Sequence, residues 1–182
     1  QAVVEVALPG RQLSDVSALA EFPGLGRVDL SRNCLTDLSG LAACVELRWL
    51  KASSNQLSSA DGLRGSAHLK SLLLDHNRME ALGALGTMAE LQTLDLSHNP
   101  LGSPEALSGL ENLRSLSTLT LCSCGLRALP PLPGFLRLAK LLLSGNELRA
   151  LPQAPESGAL RELRLDGNRI EQAAAVADGQ WP

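Results

Sequence analysis

The chain has 182 residues and a mass of 19.2 kDa, and its 45% hydrophobic content with mean hydropathy +0.06 suits one domain with a continuous core, which excludes a disordered chain. A net charge of −3 and a pI of about 5.6 exclude long-range attraction to a phosphate backbone or an anionic membrane. Aromatic residues are 2% of the chain and tyrosine is missing, so direct nucleic-acid binding by base stacking is not expected.

From the N-terminus the chain reads as one repeating unit. The first unit opens at Val3 and continues through Val6 and Leu8 to Arg11. Units two to five open at Leu25, Leu47, Leu69 and Leu91, and each reaches an asparagine: Asn33, Asn55, Asn77 and Asn99, spaced by 22 residues. The fifth reads Leu91-x-x-Leu94-x-Leu96-x-x-Asn99-x-Leu101. The sixth, opening at Leu116, carries Cys124 in place of the asparagine, and the seventh and eighth, from Leu138 and Leu160, restore it as Asn146 and Asn168. A ninth would fall on Pro182, so eight repeats fill residues 1–182 as a single domain. No polar cap is visible at either end, and the expectation is a segment of a longer protein.

Within each unit the Leu-x-Leu alternation has strand spacing, placing two side chains on one face and the residue between them on the other. After the asparagine the apolar period becomes three, as in Leu35, Leu38, Leu41, Cys44 and Leu47, the spacing of 3₁₀-like turns or a short helix. Strands of successive units then stack in parallel, and their inward leucines meet the period-three leucines of the back in one core. Asn33, Asn55, Asn77, Asn99, Cys124, Asn146 and Asn168 form a buried ladder that pairs the backbone groups left open where the chain turns. The fifth unit is 25 residues long and holds one extra turn, and Ser103-Pro104-Glu105 reads as a helix start, predicting a helix over 104–114.

This pattern resembles the leucine-rich repeat superfamily, and the run Asn-x-Leu-x-x-Leu-x-x-Leu resembles its 22-residue class. The resemblance implies a right-handed α/β horseshoe with a parallel sheet on the concave face and 3₁₀ or short-helix turns on the convex face. That class includes the leucine-rich regulatory subunit of protein phosphatase 1, a tubulin-folding cofactor, an axonemal dynein light chain and a spliceosomal A-prime subunit, so the resemblance implies intracellular, non-enzymatic scaffolding. Leu126-Arg-Ala-Leu129-Pro130-Pro131-Leu132-Pro133 and Leu148-Arg-Ala-Leu151-Pro152 resemble instead a more extended, proline-containing class.

Function is expected on the concave face, where side chains stand in columns about 4.8 Å apart. The central column reads Ala7, Asp29, Lys51, Leu73, Asp95, Thr120, Leu142 and Arg164, and its neighbour Glu5, Arg27, Trp49, Ser71, Thr93, Thr118, Lys140 and Glu162. A third holds Asp75 and Cys122. Trp49 and Leu73 are the candidate anchor, because a large aromatic on an exposed face offers much apolar area, with Arg27, Asp29, Lys51, Asp75 and Asp95 as a charged rim. Thr118, Lys140, Leu142 and Arg164 continue the partner-binding face. Against this stands the bland reading that scattered apolar residues are normal on surfaces and that the charges pair across strands.

His76 and His98, aligned in adjacent units beside Asp75, Asp95 and Cys122, raise a metal site, but a close-spaced ligand motif is lacking, and neither a metal nor a cofactor is expected. Cys122 and Cys124 read as structural thiols. No nucleophile elbow or phosphate-binding glycine loop occurs, and no catalytic residue is assigned. Pro130, Pro131 and Pro133 read as turn-shaping rather than as a ligand for a proline-binding module. The expected role is a protein-interaction scaffold, monomeric by itself or a subunit of a complex, with no direct nucleic-acid or membrane contact. The alternative is a recognition or regulatory segment of a larger enzyme or ribonucleoprotein. Unclustered cysteines and the lack of any Asn-x-Ser/Thr acceptor point to an intracellular, cytoplasmic location, with nuclear and cytoskeletal or ciliary sites also open.

Overall fold

The computed structural model describes residues 4–130, 136–151 and 158–171. Eight three-residue strands, β1 (Glu5–Ala7), β2 (Arg27–Asp29), β3 (Trp49–Lys51), β4 (Ser71–Leu73), β5 (Thr93–Asp95), β6 (Thr118–Thr120), β7 (Lys140–Leu142) and β8 (Glu162–Arg164), form one parallel sheet in sequence order. The register follows the repeat, so Arg27 lies beside Trp49, Trp49 beside Ser71 and Lys51 beside Leu73. In β2 to β7 the middle residue is buried, and it meets the leucines of the back: Val28, Leu50, Leu72, Leu94, Leu119 and Leu141 all have no exposed surface, nor do Leu38, Leu41 and Leu63. Burying each leucine stabilises the fold by about 1.5–3 kcal/mol.

Parallel hydrogen bonding continues beyond the strands. The N–H of His76 reaches Ser97 O at 2.9 Å and that of His98 reaches Cys122 O at 2.8 Å. To do so, the residue before each ladder position turns into left-handed backbone, including Arg32, Ser54, His76, His98 and Ser123, with Gly10, Gly145 and Gly167 at the ends of the array. Five units thus place a side-chain-bearing residue where glycine would be at ease, a cost of about 1 kcal/mol or more each.

The ladder asparagines tie adjacent units through their side-chain amides. Asn77 Nδ2 donates to Ala52 O at 3.0 Å and Leu74 O at 2.9 Å, while its Oδ1 accepts from Leu57 N–H at 3.0 Å, so one side chain ties adjacent units. Asn33, Asn55, Asn99, Asn146 and Asn168 repeat this arrangement. The ladder changes character at the 25-residue unit. Pro100 has no N–H to give where Cys34, Gln56, Arg78, Glu147 and Arg169 each bond the preceding unit. Cys124 donates its thiol to Leu96 O at 3.3 Å, the Leu101 N–H turns to Asn99 O at 2.9 Å, and Gly102 N–H supplies the link to Cys124 O at 3.0 Å.

The period-three segments are 3₁₀ turns, at Ser17–Glu21, Ser39–Leu41, Asp61–Leu63 and Gly83–Thr87. The continuous helix expected over 104–114 is not formed: two 3₁₀ segments, Pro104–Leu107 and Leu110–Asn112, stand there instead. Gly109 between them has φ of 98°, which no right-handed helix accommodates. Ser103 makes no cap to the backbone, although hydrogen bonds from the Glu105 N–H and the Ser103 hydroxyl lower the Glu105 carboxyl below its ordinary range. The proline-rich stretch after Leu129 lies largely outside the described residues, as do Pro131, Pro133, Pro152 and the opening Val3.

Candidate functional site

The alternation of the strands places Arg27, Asp29, Trp49, Lys51, Leu73, Asp95, Thr118, Lys140, Leu142 and Arg164 on the face opposite the core, since each neighbours a middle strand residue that points inward. Trp49, Lys51, Leu73, Asp95, Thr118 and Leu142 are half-buried; Arg27, Lys140 and Arg164 are exposed. Asp75 follows two residues after Leu73 and is half-buried.

Trp49 is held rather than free. The Arg27 guanidinium carbon lies 3.6 Å from the centre of its ring, and Arg27 Nε in turn reaches Glu5 Oε1 at 3.2 Å. The three units in register thus form a carboxylate–guanidinium–indole stack. Sequence alone did not single out this stack, although the spacing of 22 between Glu5, Arg27 and Trp49 was its signal.

Beside it, Asp29, Lys51, Ser53, Leu73 and Asp75 border an open hollow of about 580 Å³. Its carboxylates are ordered by hydroxyls: Asp29 Oδ1 accepts from the Ser31 hydroxyl at 2.6 Å and N–H at 2.9 Å, and Asp75 accepts from the Ser53 hydroxyl of the preceding unit. Asp95 accepts from Ser97 N–H at 2.9 Å, yet burial pushes its carboxyl above the ordinary range, with the nearby Asp75 charge adding to the effect. At the other end, Glu162 gathers Lys140 at 3.0 Å and Arg164 at 2.8 Å, and these hydrogen bonds hold its carboxyl below the ordinary range. Lys140 and Glu162 pair across units, as Arg27 and Glu5 do at the other end, while Lys51 makes no ion pair among the described residues.

His76 and His98 stack face to face, with ring centres 4.0 Å apart and planes inclined by 24°, and His76 Nδ1 lies 3.1 Å from Asp75 Oδ2. Stacked rings present π faces, not nitrogens, to one another. No group of three or more His, Cys, Asp or Glu in metal-holding geometry occurs among the described residues. Cys124 is buried and its thiol is pushed up to about 11 by desolvation, and Cys44 is likewise raised by burial, so both are held as neutral thiols at pH 7.

A family model for the leucine-rich repeat matches residues 90–110. No curated protein matches the chain by sequence. Among solved structures, a leucine-rich repeat protein of Leptospira interrogans superposes with a TM-score of 0.80 at 25% identity, covering 92% of this chain and 42% of its own. The functional domain of InlJ from Listeria monocytogenes, which includes a cysteine ladder, gives a TM-score of 0.82 at 20% identity over 98% of this chain and 38% of its own. The internalin InlF of the same organism gives 0.72 at 22%, over 93% of this chain and 48% of its own. The chain spans less than half the length of these three proteins. The repeated motif, the eight-stranded parallel stack, the polar ladder and these likenesses agree: the chain folds as a leucine-rich repeat solenoid.

Proposed function

We propose that the chain is a non-catalytic interaction module that clasps a protein partner on its concave face. Trp49 and Leu73 are the apolar anchor, Arg27, Asp29, Lys51, Asp75 and Asp95 the charged rim, and Thr118, Lys140, Leu142 and Arg164 the extension along the sheet. The observation that carries this reading is the stack on Trp49: a large ring already held by Arg27 has little rotamer freedom left to lose when a partner covers it. Support also comes from the superfamily, whose repeats serve in general as protein-binding scaffolds. The exposed free thiol of Cys34 supports a reducing, intracellular setting, and no helix among the described residues is long and apolar enough to cross a membrane.

The test is affinity capture with the intact chain, with the double variant Trp49→Ala/Leu73→Glu, and with Glu90→Lys, whose carboxylate pairs with His68 off the concave face. Proteins held by the intact chain and by Glu90→Lys are expected to bind the double variant at least tenfold more weakly, about 1.4 kcal/mol or more. Equal affinity for all three would overturn the reading.

A further inference from the structure

The Leu-Arg-Ala-Leu runs of units six and seven leave a feature that concave-face binding does not use. Arg127 and Arg149 occupy the same place in their units, one residue after the core leucines Leu126 and Leu148. Arg169 and Glu147 likewise occupy one place, the residue after the ladder asparagine. Stacking of the last three units brings these four side chains around a hollow of about 440 Å³ on the rim where the ladder turns leave the sheet. Glu147 holds two of the arginines, with Arg127 Nε at 3.3 Å and Arg169 Nη2 at 3.8 Å, and Arg149 makes no ion pair among the described residues. The arginine side chains are largely exposed: 80% at Arg127 and 63% at Arg169.

Three guanidinium groups and one carboxylate leave the hollow with two positive charges in excess. In earlier units the corresponding positions are mostly uncharged, such as Gln12, Ser14, Cys34, Thr36, Gln56 and Ser58, with only Arg78 and Glu80 as an opposed pair of signs. The positive charge is therefore a single spot and not a track. Glu171 stands one unit beyond Arg149 in the same column, and Asp166 lies at the exit of the last strand.

We infer that Arg127, Arg149 and Arg169 form a receptor for one phosphate monoester, carried by a phosphoserine or phosphothreonine of a peptide that crosses this rim. A phosphate monoester has a charge of about −1.5 to −2 near pH 7, which matches the excess of the hollow, and its oxygens accept the paired N–H groups of a planar guanidinium. Glu147 keeps the mutually repelling arginines together in the empty state and gives up its two partners to the phosphate. A polyanion fits poorly, because nucleic acid requires a line of cations along its backbone, and here the column of Arg127 and Arg149 ends on Glu171.

The test uses the 182-residue chain and a glycine–alanine heptapeptide with one central phosphoserine, followed through the Nε–Hε resonances of arginine by NMR. Saturable shifts at Arg127, Arg149 and Arg169 are expected, with displacement by inorganic phosphate and none with the unphosphorylated peptide. Arg149→Glu is expected to weaken binding at least tenfold, and Glu147→Gln to tighten it several-fold, a gain that a merely structural Glu147 would not give. Arg64→Glu, an arginine paired with Asp61 on the back of an earlier unit, leaves it unchanged. Phosphopeptide shifts that survive Arg149→Glu, no shift at all, or tighter binding of a 20-nucleotide single-stranded DNA than of the peptide would each overturn the inference.

Discussion

Asn77 shows how much of this fold rests on single side chains. Its amide donates to two carbonyls and accepts from a third backbone group in a site only 7% exposed. In Asn77→Asp, a carboxylate of nearly the same shape must face Ala52 O and Leu74 O without a proton to offer, and burial resists its charge. Urea denaturation is expected to show a loss of about 3 kcal/mol or more, the combined cost of unpaired buried groups; a change within about 0.5 kcal/mol, the usual range for neutral surface substitutions, would contradict this. The ladder was legible because asparagine recurs at one phase of the repeat. The left-handed residue before it was not, since Arg32, Ser54, His76, His98 and Ser123 share no side-chain chemistry and the backbone alone places them there.

Among the elements, the strands were readable from Leu-x-Leu, and their outward residues followed from the same alternation. The turns of the back were readable as period three, but period three does not tell two short 3₁₀ segments from one longer helix. What decides it is close packing between units. Gly86 and Gly109 face each other so tightly that a Cβ on Gly86 would lie 3.1 Å from Gly109 Cα. Further along the back the approach is closer: a Cβ on Gly62 would lie 2.3 Å from the carbonyl carbon of Leu38, a backbone atom that cannot swing aside. Gly62→Ala is therefore expected to force adjacent units apart and cost about 1–3 kcal/mol or more, as overpacking does. Gly24→Ala, where a Cβ would meet nothing within 4 Å, serves as the control. Equal melting temperatures for the two variants would contradict the packing account.

At the scale of the whole molecule, the period of 22 made the stacking order and the parallel register predictable before any coordinates, because each unit buries its leucines only against its neighbours. Specificity was less legible. Columns of outward residues could be written down, yet the hold of Arg27 on Trp49, the Ser53–Asp75 bond and the gathering of Arg127, Arg149 and Arg169 around Glu147 are contacts between units. They depend on rotamers that one-dimensional spacing does not state. The central claim is that a partner covers the concave face, and hydroxyl-radical footprinting of the chain with its captured partner tests it most directly. The expected result is strong protection of Trp49 and Leu73 with unchanged labelling of Phe22, Val45 and Leu136, three of the large apolar side chains exposed elsewhere. Full labelling of Trp49 in the complex, with protection at Phe22, Val45 or Leu136 instead, would contradict it.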